Sequence, residues 1–219
     1  SSGACLLDIT EDCAKPPHAS TYIGARKKEG HIHLIAVDHG EKTLPGKGAE
    51  RGGVAGIDIA EVGSNIVSVP LLYGGTYTLF AHQLPSMGID VRFAANDSAA
   101  ELEKLIDAKT VAVYCETIGN PAGNIPDLEA ITTMAHKHGV AVIVDNTVPT
   151  PVLMKPIRFG ADIVVHSLTK YMGGHGTSIG GIIIDSGKFP WAEHKDRYPM
   201  LSTPEPAYHG VVYTEALGP

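Results

Sequence analysis

The chain has 219 residues, enough for one sizeable domain or two small ones, and its 43% hydrophobic and 19% charged content is that of an ordinary soluble globular protein. A net charge of -7 argues against a general nucleic-acid binder, because phosphate contacts need clustered Lys and Arg, and no apolar run approaches the length of a transmembrane helix. The first residues, SSGACLLDITEDCAK, lack a basic segment followed by an apolar one, and Cys5, Cys13 and Cys115 form an odd set without metal spacing. Both features suit a reducing cytosol, so a cytoplasmic protein is expected.

Up to residue 56 the apolar runs are short, and KTLPGKGAERGG (42–53) reads as an exposed connection. HIHLIAVDHG (31–40) has His31, His33, Asp38 and His39, superficially like a hydrolase zinc motif. Asp38 comes five positions after His33, however, and no further ligand set is evident, so satisfied or solvent-exposed histidines and no metal are expected.

From residue 57 the pattern becomes regular. NIVSVPLLYGG (65–75) predicts a strand running into a turn, YTLFAHQLPSMG (77–88) a helix with Pro85 near its end, and DVRFAA (90–95) another strand. Ser98 and Glu101 suggest a capping box, followed by Leu102, Leu105 and Ile106 on one helical face. VAVYCE (111–116) is a buried strand, DLEAITTMAHKHG (127–139) a helix closed by Gly139, and VAVIVDN (140–146), ADIVVHS (161–167) and GGIIIDS (180–186) are further strands. Strands apolar on both faces that alternate with helices imply an α/β fold with a mostly parallel sheet covered on both sides. Ligands gather at the carboxyl ends of such strands, which places Glu116, Asp145 and the segment after Val165 around one site.

Three segments carry candidate chemistry. Asp145 in VDN (144–146) either caps the next helix or pairs with a protonated ring nitrogen, since a buried anion needs a compensating partner. In HSLTKYMGGHG (166–176), Lys170 lies just beyond a buried strand, flanked by hydroxyls and by glycines that permit close backbone approach. A lysine amine forms a Schiff base with an aldehyde, burial favours the neutral nucleophilic form of an amine, and Ser167 and Thr169 can donate to a phosphate. Gly173, Gly174 and Gly176 make no dinucleotide fingerprint, because they follow the lysine and Ile179 stands where the third glycine belongs. Tyr73 in YGGTY (73–77), placed at the end of a strand, is either a surface turn residue or a ring stacked on a flat cofactor.

The stretches SNIVSVPLLYGGTY, VYCETIGNPAGN, VIVDNT and VVHSLTKYMGGHGTSIGG closely resemble the Cys/Met-metabolism enzymes that use pyridoxal 5'-phosphate (PLP). GHGTSIGG and the tail HGVVYTEALGP (209–219) are most similar to the O-acetylhomoserine sulfhydrylase subgroup. The resemblance implies the large-domain portion of a PLP-dependent transferase of fold type I. Lys170 would hold PLP as a Schiff base and shuttle the substrate proton, and Asp145 would pair with the pyridinium nitrogen. Tyr73 would stack on the ring, Asn120 would bond the ring hydroxyl oxygen, Thr147 would contact the ring region, and Ser167 and Thr169 would hold the phosphate. Ser2 and Gly3 resemble a remnant of the family's phosphate loop.

The implied reaction is γ-replacement, converting O-acetylhomoserine and sulfide or a thiol to homocysteine or methionine and acetate, in a homo-oligomer with small-molecule partners only. The family also has an N-terminal segment that reaches a neighbour's phosphate and a C-terminal domain carrying a substrate-carboxylate arginine. The expectation is therefore a fragment, with residues 1–56 unassigned, 57–219 an incomplete PLP-binding large domain, and little or no turnover. The rival readings are an inactive fragment and a related γ-lyase or cystathionine γ-synthase.

Overall fold

The computed structural model describes residues 34–37, 59–206 and 209–216. The expectations for residues 42–53 and for His31, His33, Asp38 and His39 lie outside them. Among the described residues, seven strands form one sheet: β1 (Leu34–Val37), β2 (Asn65–Ser68), β3 (Asp90–Phe93), β4 (Thr110–Glu116), β5 (Ala141–Asp145), β6 (Ile163–Ser167) and β7 (Gly181–Asp185), in the order β1-β7-β6-β5-β4-β2-β3. Strands β2 to β6 run parallel, as expected for apolar strands alternating with helices.

Strand β7 departs from that rule and pairs antiparallel with both β6 and β1. A parallel return needs a crossover that carries the chain to the far end of the sheet. The link between β6 and β7 instead holds only the short helical turn Leu168–Met172 and a glycine-rich loop, so the chain reverses beside the strand it has just left.

The central strands are the most deeply buried. Every residue of β4 is buried, as are the first four of β5 and of β6. Ile66, Val113, Val142 and Ile143 are fully withdrawn from water, and the helix Leu128–Lys137 buries Ile131, Met134 and Ala135 against the sheet. Asp127 caps that helix by accepting the Ala130 N–H at 3.0 Å, and Gly139, at φ 63°, takes the left-handed conformation that lets the chain leave it.

Three local expectations need correction. The helix expected from residue 77 starts at Gly74 and runs in three pieces: Gly74–Thr78, a π-helical turn Leu79–Gln83, and Leu84–Ser86. Strand β2 stops at Ser68, short of Tyr73, which was expected at its end, because Pro70 has no N–H with which to continue the ladder. The capping box at Ser98 forms by half: its hydroxyl accepts the Glu101 N–H at 3.4 Å, but the Glu101 carboxylate pairs with Lys104 and the Ser98 N–H donates to Asn96.

The amino ends of β4 and β5 are joined by a residue distant in sequence. The Tyr198 hydroxyl accepts the Ala141 N–H and donates to the Val111 carbonyl, both at 2.9 Å, while its ring packs edge-on against Phe189 and Trp191. Tyr198→Phe keeps the packing and orphans a buried donor and a buried acceptor. A loss of about 2 kcal/mol is expected in urea unfolding with an unchanged m-value.

Candidate functional site

At the opposite, carboxyl end of the sheet, β4, β5 and β6 open into a cavity of about 620 Å³. Glu116 and Asp145 close their strands in register with one another, so two carboxylates stand side by side at the floor. Glu116 is buried, and its oxygens accept the backbone N–H groups of Tyr73 at 2.6 Å and Asn120 at 3.1 Å. Asp145 accepts the Thr147 N–H at 2.8 Å and the Tyr114 hydroxyl at 3.5 Å. Burial raises the pKa of both acids. Glu116 is pushed up to about 7, first by burial and then by the Asp145 charge, against the pull of its two amide donors.

Thr147 fastens the next strand end, its hydroxyl accepting the Ser167 N–H at 2.8 Å. Beyond Ser167 the chain enters a π-helical turn, Leu168–Met172, broken at Lys170, which has φ -90° and ψ -125°. The half-buried Lys170 projects its Nζ to 5.9 Å from the centroid of the Tyr73 ring. Gly173 closes the turn by donating to the Leu168 carbonyl at 2.8 Å. A Cβ there would lie 2.5 Å from the same oxygen, so only glycine fits.

Of the residues proposed from sequence, Tyr73, Asn120, Asp145 and Lys170 line this one cavity, and so do Thr147, Ser167 and Thr169. Ser2 and Gly3 lie outside the described residues. Two placements differ from expectation. Tyr73 does not end a strand but is the N-cap of the helix beginning at Gly74, drawn there by its bond to Glu116. The Thr169 hydroxyl donates to the Gly180 carbonyl at 3.3 Å and accepts the Gly180 N–H at 3.1 Å, so it pins the return of the chain toward β7.

Sequence reasoning placed Glu116 at the site by the strand-end rule but assigned it no task, and it overlooked Tyr114. Both were legible in principle, since VAVYCE ends in an acid just as VAVIVD does. Their partners, supplied by other segments, were not.

The arrangement combines a primary amine, an aromatic ring, and acids whose burial calls for a cationic partner. Residues 35–207 match the family described as Cys/Met metabolism PLP-dependent enzyme. The chain belongs to that family. Among its relatives, the homocysteine/cysteine synthase of Saccharomyces cerevisiae is 51% identical over 193 residues, 87% of this chain and 41% of that protein. O-acetyl-L-homoserine sulfhydrylase 1 of Thermus thermophilus is 47% identical, covering 97% of this chain and 54% of its own. The chain thus spans about two fifths to about half of the length of these relatives.

A crystal structure from Campylobacter jejuni, assigned as an O-acetylhomoserine (thiol)-lyase and carrying a pyridoxyl-lysine monophosphate, superposes with a TM-score of 0.73. It is 36% identical, over 84% of this chain and 43% of the other. The shared fold makes this a mostly parallel sheet of the type used by PLP-dependent enzymes of this family.

The raised pKa of Asp145 yields a stability prediction for the cofactor-free chain. A folded-state pKa above the unfolded value of 3.8 means that the native state binds the extra proton, so stability falls as pH rises from the ordinary carboxylate range through the folded pKa. Asp145→Asn removes that penalty. Its thermal midpoint should exceed that of the wild type at pH 8 and converge with it at pH 4, as read by calorimetry.

Proposed function

We propose that this chain is the cofactor-holding part of an enzyme that performs PLP-dependent γ-replacement, exchanging the acetate of O-acetylhomoserine for sulfide or a thiol to give homocysteine or methionine. The observation that carries this reading is the convergence of Lys170, Tyr73, Asn120 and Asp145 on one cavity at the carboxyl ends of β4 to β6. The names of relatives at 45–51% identity support the substrate class.

The pocket fits the cofactor at its ring end. Asp145, half-buried at the cavity wall and raised in pKa by burial, is an acid that a pyridinium nitrogen beside it would satisfy. Tyr73 offers an aromatic face on the side from which the Lys170 amine approaches. Asn120, in the loop after β4, would bond the ring oxygen, and Ser167, its N–H held by the Thr147 hydroxyl at the end of β6, would bind the phosphate. Thr169, fixed through Gly180, would stand beside Ser167 at the phosphate.

Bound PLP supplies an aldehyde for amine capture and a protonated ring that stores the electron pair left when a substrate proton departs. Lys170 would have two tasks, anchoring the aldehyde and taking the proton from the substrate α-carbon. Asp145 keeps the ring nitrogen charged. Fixed donors and charges are the protein's share of the catalysis.

The reading extends to a cytosolic homo-oligomer that takes small-molecule amino acids and sulfide. Val152 and Leu153, 87% and 81% exposed in the turn after β5, are apolar surface suited to a neighbouring subunit.

Titration of the purified chain with PLP tests the proposal. An absorbance band at the edge of the visible is expected, with one pyridoxyl phosphate fixed per chain after borohydride reduction, and both are lost in Lys170→Ala. Acetate release from O-acetylhomoserine dependent on sulfide supports γ-replacement, whereas ketone formation without a thiol points to a γ-lyase. A wild-type chain that gives no Lys170-dependent band overturns the cofactor assignment.

A further inference from the structure

We propose that Glu116 is a positioning residue, a carboxylate clasp that sets the spacing between Tyr73 and Asn120 and so the width of the slot for a flat ring. The inference rests on the PLP reading of the cavity and gives a task to a residue outside the lysine, aspartate and hydroxyl set.

Tyr73 and Asn120 come from different parts of the chain. Tyr73 stands at the start of the helix that follows β2, and Asn120 stands in the loop that follows β4. Strand pairing ends at Ser68 on β2 and at Glu116 on β4, so the ladder itself does not reach either residue. Glu116 spans the distance with one side chain: Oε1 takes the Tyr73 N–H at 2.6 Å and Oε2 takes the Asn120 N–H at 3.1 Å. Because both bonds are to backbone, they fix where the two residues start without restricting which side chain each presents.

The carboxylate is only 5% exposed and lies beside Asp145, an arrangement that disfavours its charge. A buried acid at the end of a strand is retained against that penalty by its donors, and both of its donors here belong to pocket walls. The Asn120 loop is closed independently by the Gly119 N–H to the Asn124 carbonyl at 2.9 Å and by the Asn124 amide on the Asp97 carboxylate. The clasp therefore grips a formed loop rather than organising a slack one.

The clasp needs two accepting oxygens, one for each amide. Glutamine at this position keeps one accepting oxygen but turns an amide NH₂ toward the second N–H, so one arm of the clasp is lost. Alanine loses both.

Hydrogen exchange on the cofactor-free chain, followed amide by amide, tests the clasp directly. Slow exchange is expected for the Tyr73 and Asn120 amides in the wild type. One of the two should speed up in Glu116→Gln and both in Glu116→Ala, while protection of β4 and β5 persists. PLP titration supplies the second readout. Weakening of roughly tenfold in Glu116→Gln and more in Glu116→Ala is expected, with a reduced visible circular dichroism signal from the bound ring. In a double mutant with Tyr73→Ala the two losses should fall short of their sum, because the clasp acts partly through that ring.

Unchanged exchange of both amides in Glu116→Ala, or wild-type PLP affinity and dichroism in that variant, overturns the proposal. A wild-type chain that shows protected amides but no Lys170-dependent band overturns the cofactor reading instead and leaves the clasp standing.

Discussion

Two carboxylates stand side by side at the ends of β4 and β5, Glu116 buried and Asp145 half-buried, and much of the site follows from how they are satisfied. Parallel pairing in register places Glu116 beside Asp145. Like charges at this spacing repel, and desolvation adds to the penalty. The relief comes from the loops. Glu116 draws in Tyr73 and Asn120, and Asp145 takes the Thr147 N–H and, from β4, the Tyr114 hydroxyl. Loops that elsewhere would be free to vary are thereby held against the sheet at the place where a ligand must fit.

The opposite end of the sheet shows why that penalty is tolerable. There Tyr198, Phe189 and Trp191 pack as a cluster of rings, and the Tyr198 hydroxyl bonds groups at the starts of both β4 and β5. The same two strands are therefore pinned at one end by buried aromatic surface and burdened at the other by buried charge. Stability concentrated away from the site lets the site keep acids that a packed core would reject. The antiparallel β7 serves the same division, since its reversal after β6 lays the turn containing Lys170 across the mouth of the cavity.

Family membership and geometry bear on different questions. Membership ties the chain to PLP and to sulfur amino-acid metabolism. Geometry says which groups meet, and its detail is not a copy of the expectation. Thr169 is engaged with Gly180, Thr147 holds a strand rather than standing free, and Tyr73 caps a helix. Each of these side chains or amides does structural work at the wall of the cavity. Ordering such groups before a ligand arrives lowers the entropy lost on binding.

Much of this was legible in the sequence, because its signals are local. Apolar runs such as VAVIVD and ADIVV read as buried strands whatever their neighbours, Asp127 and Gly139 mark the ends of a helix, and the glycines after Lys170 announce a tight turn. Those features depend on backbone conformation and burial within a few residues, and the strand-end rule then converts a list of strands into an approximate site. What the sequence could not decide was partnership across long separations: Glu116 with Tyr73 over 43 residues, Tyr198 with Val111 over 87, and the hand-over of the Thr147 hydroxyl to Ser167 over 20. Such bonds exist only once the sheet has set which strand ends are neighbours. The same holds for the direction of β7, whose apolar pattern is equally compatible with parallel and antiparallel pairing. The residue types for the chemistry were therefore set by the sequence, and their alignment into one slot was decided by the packing of the sheet.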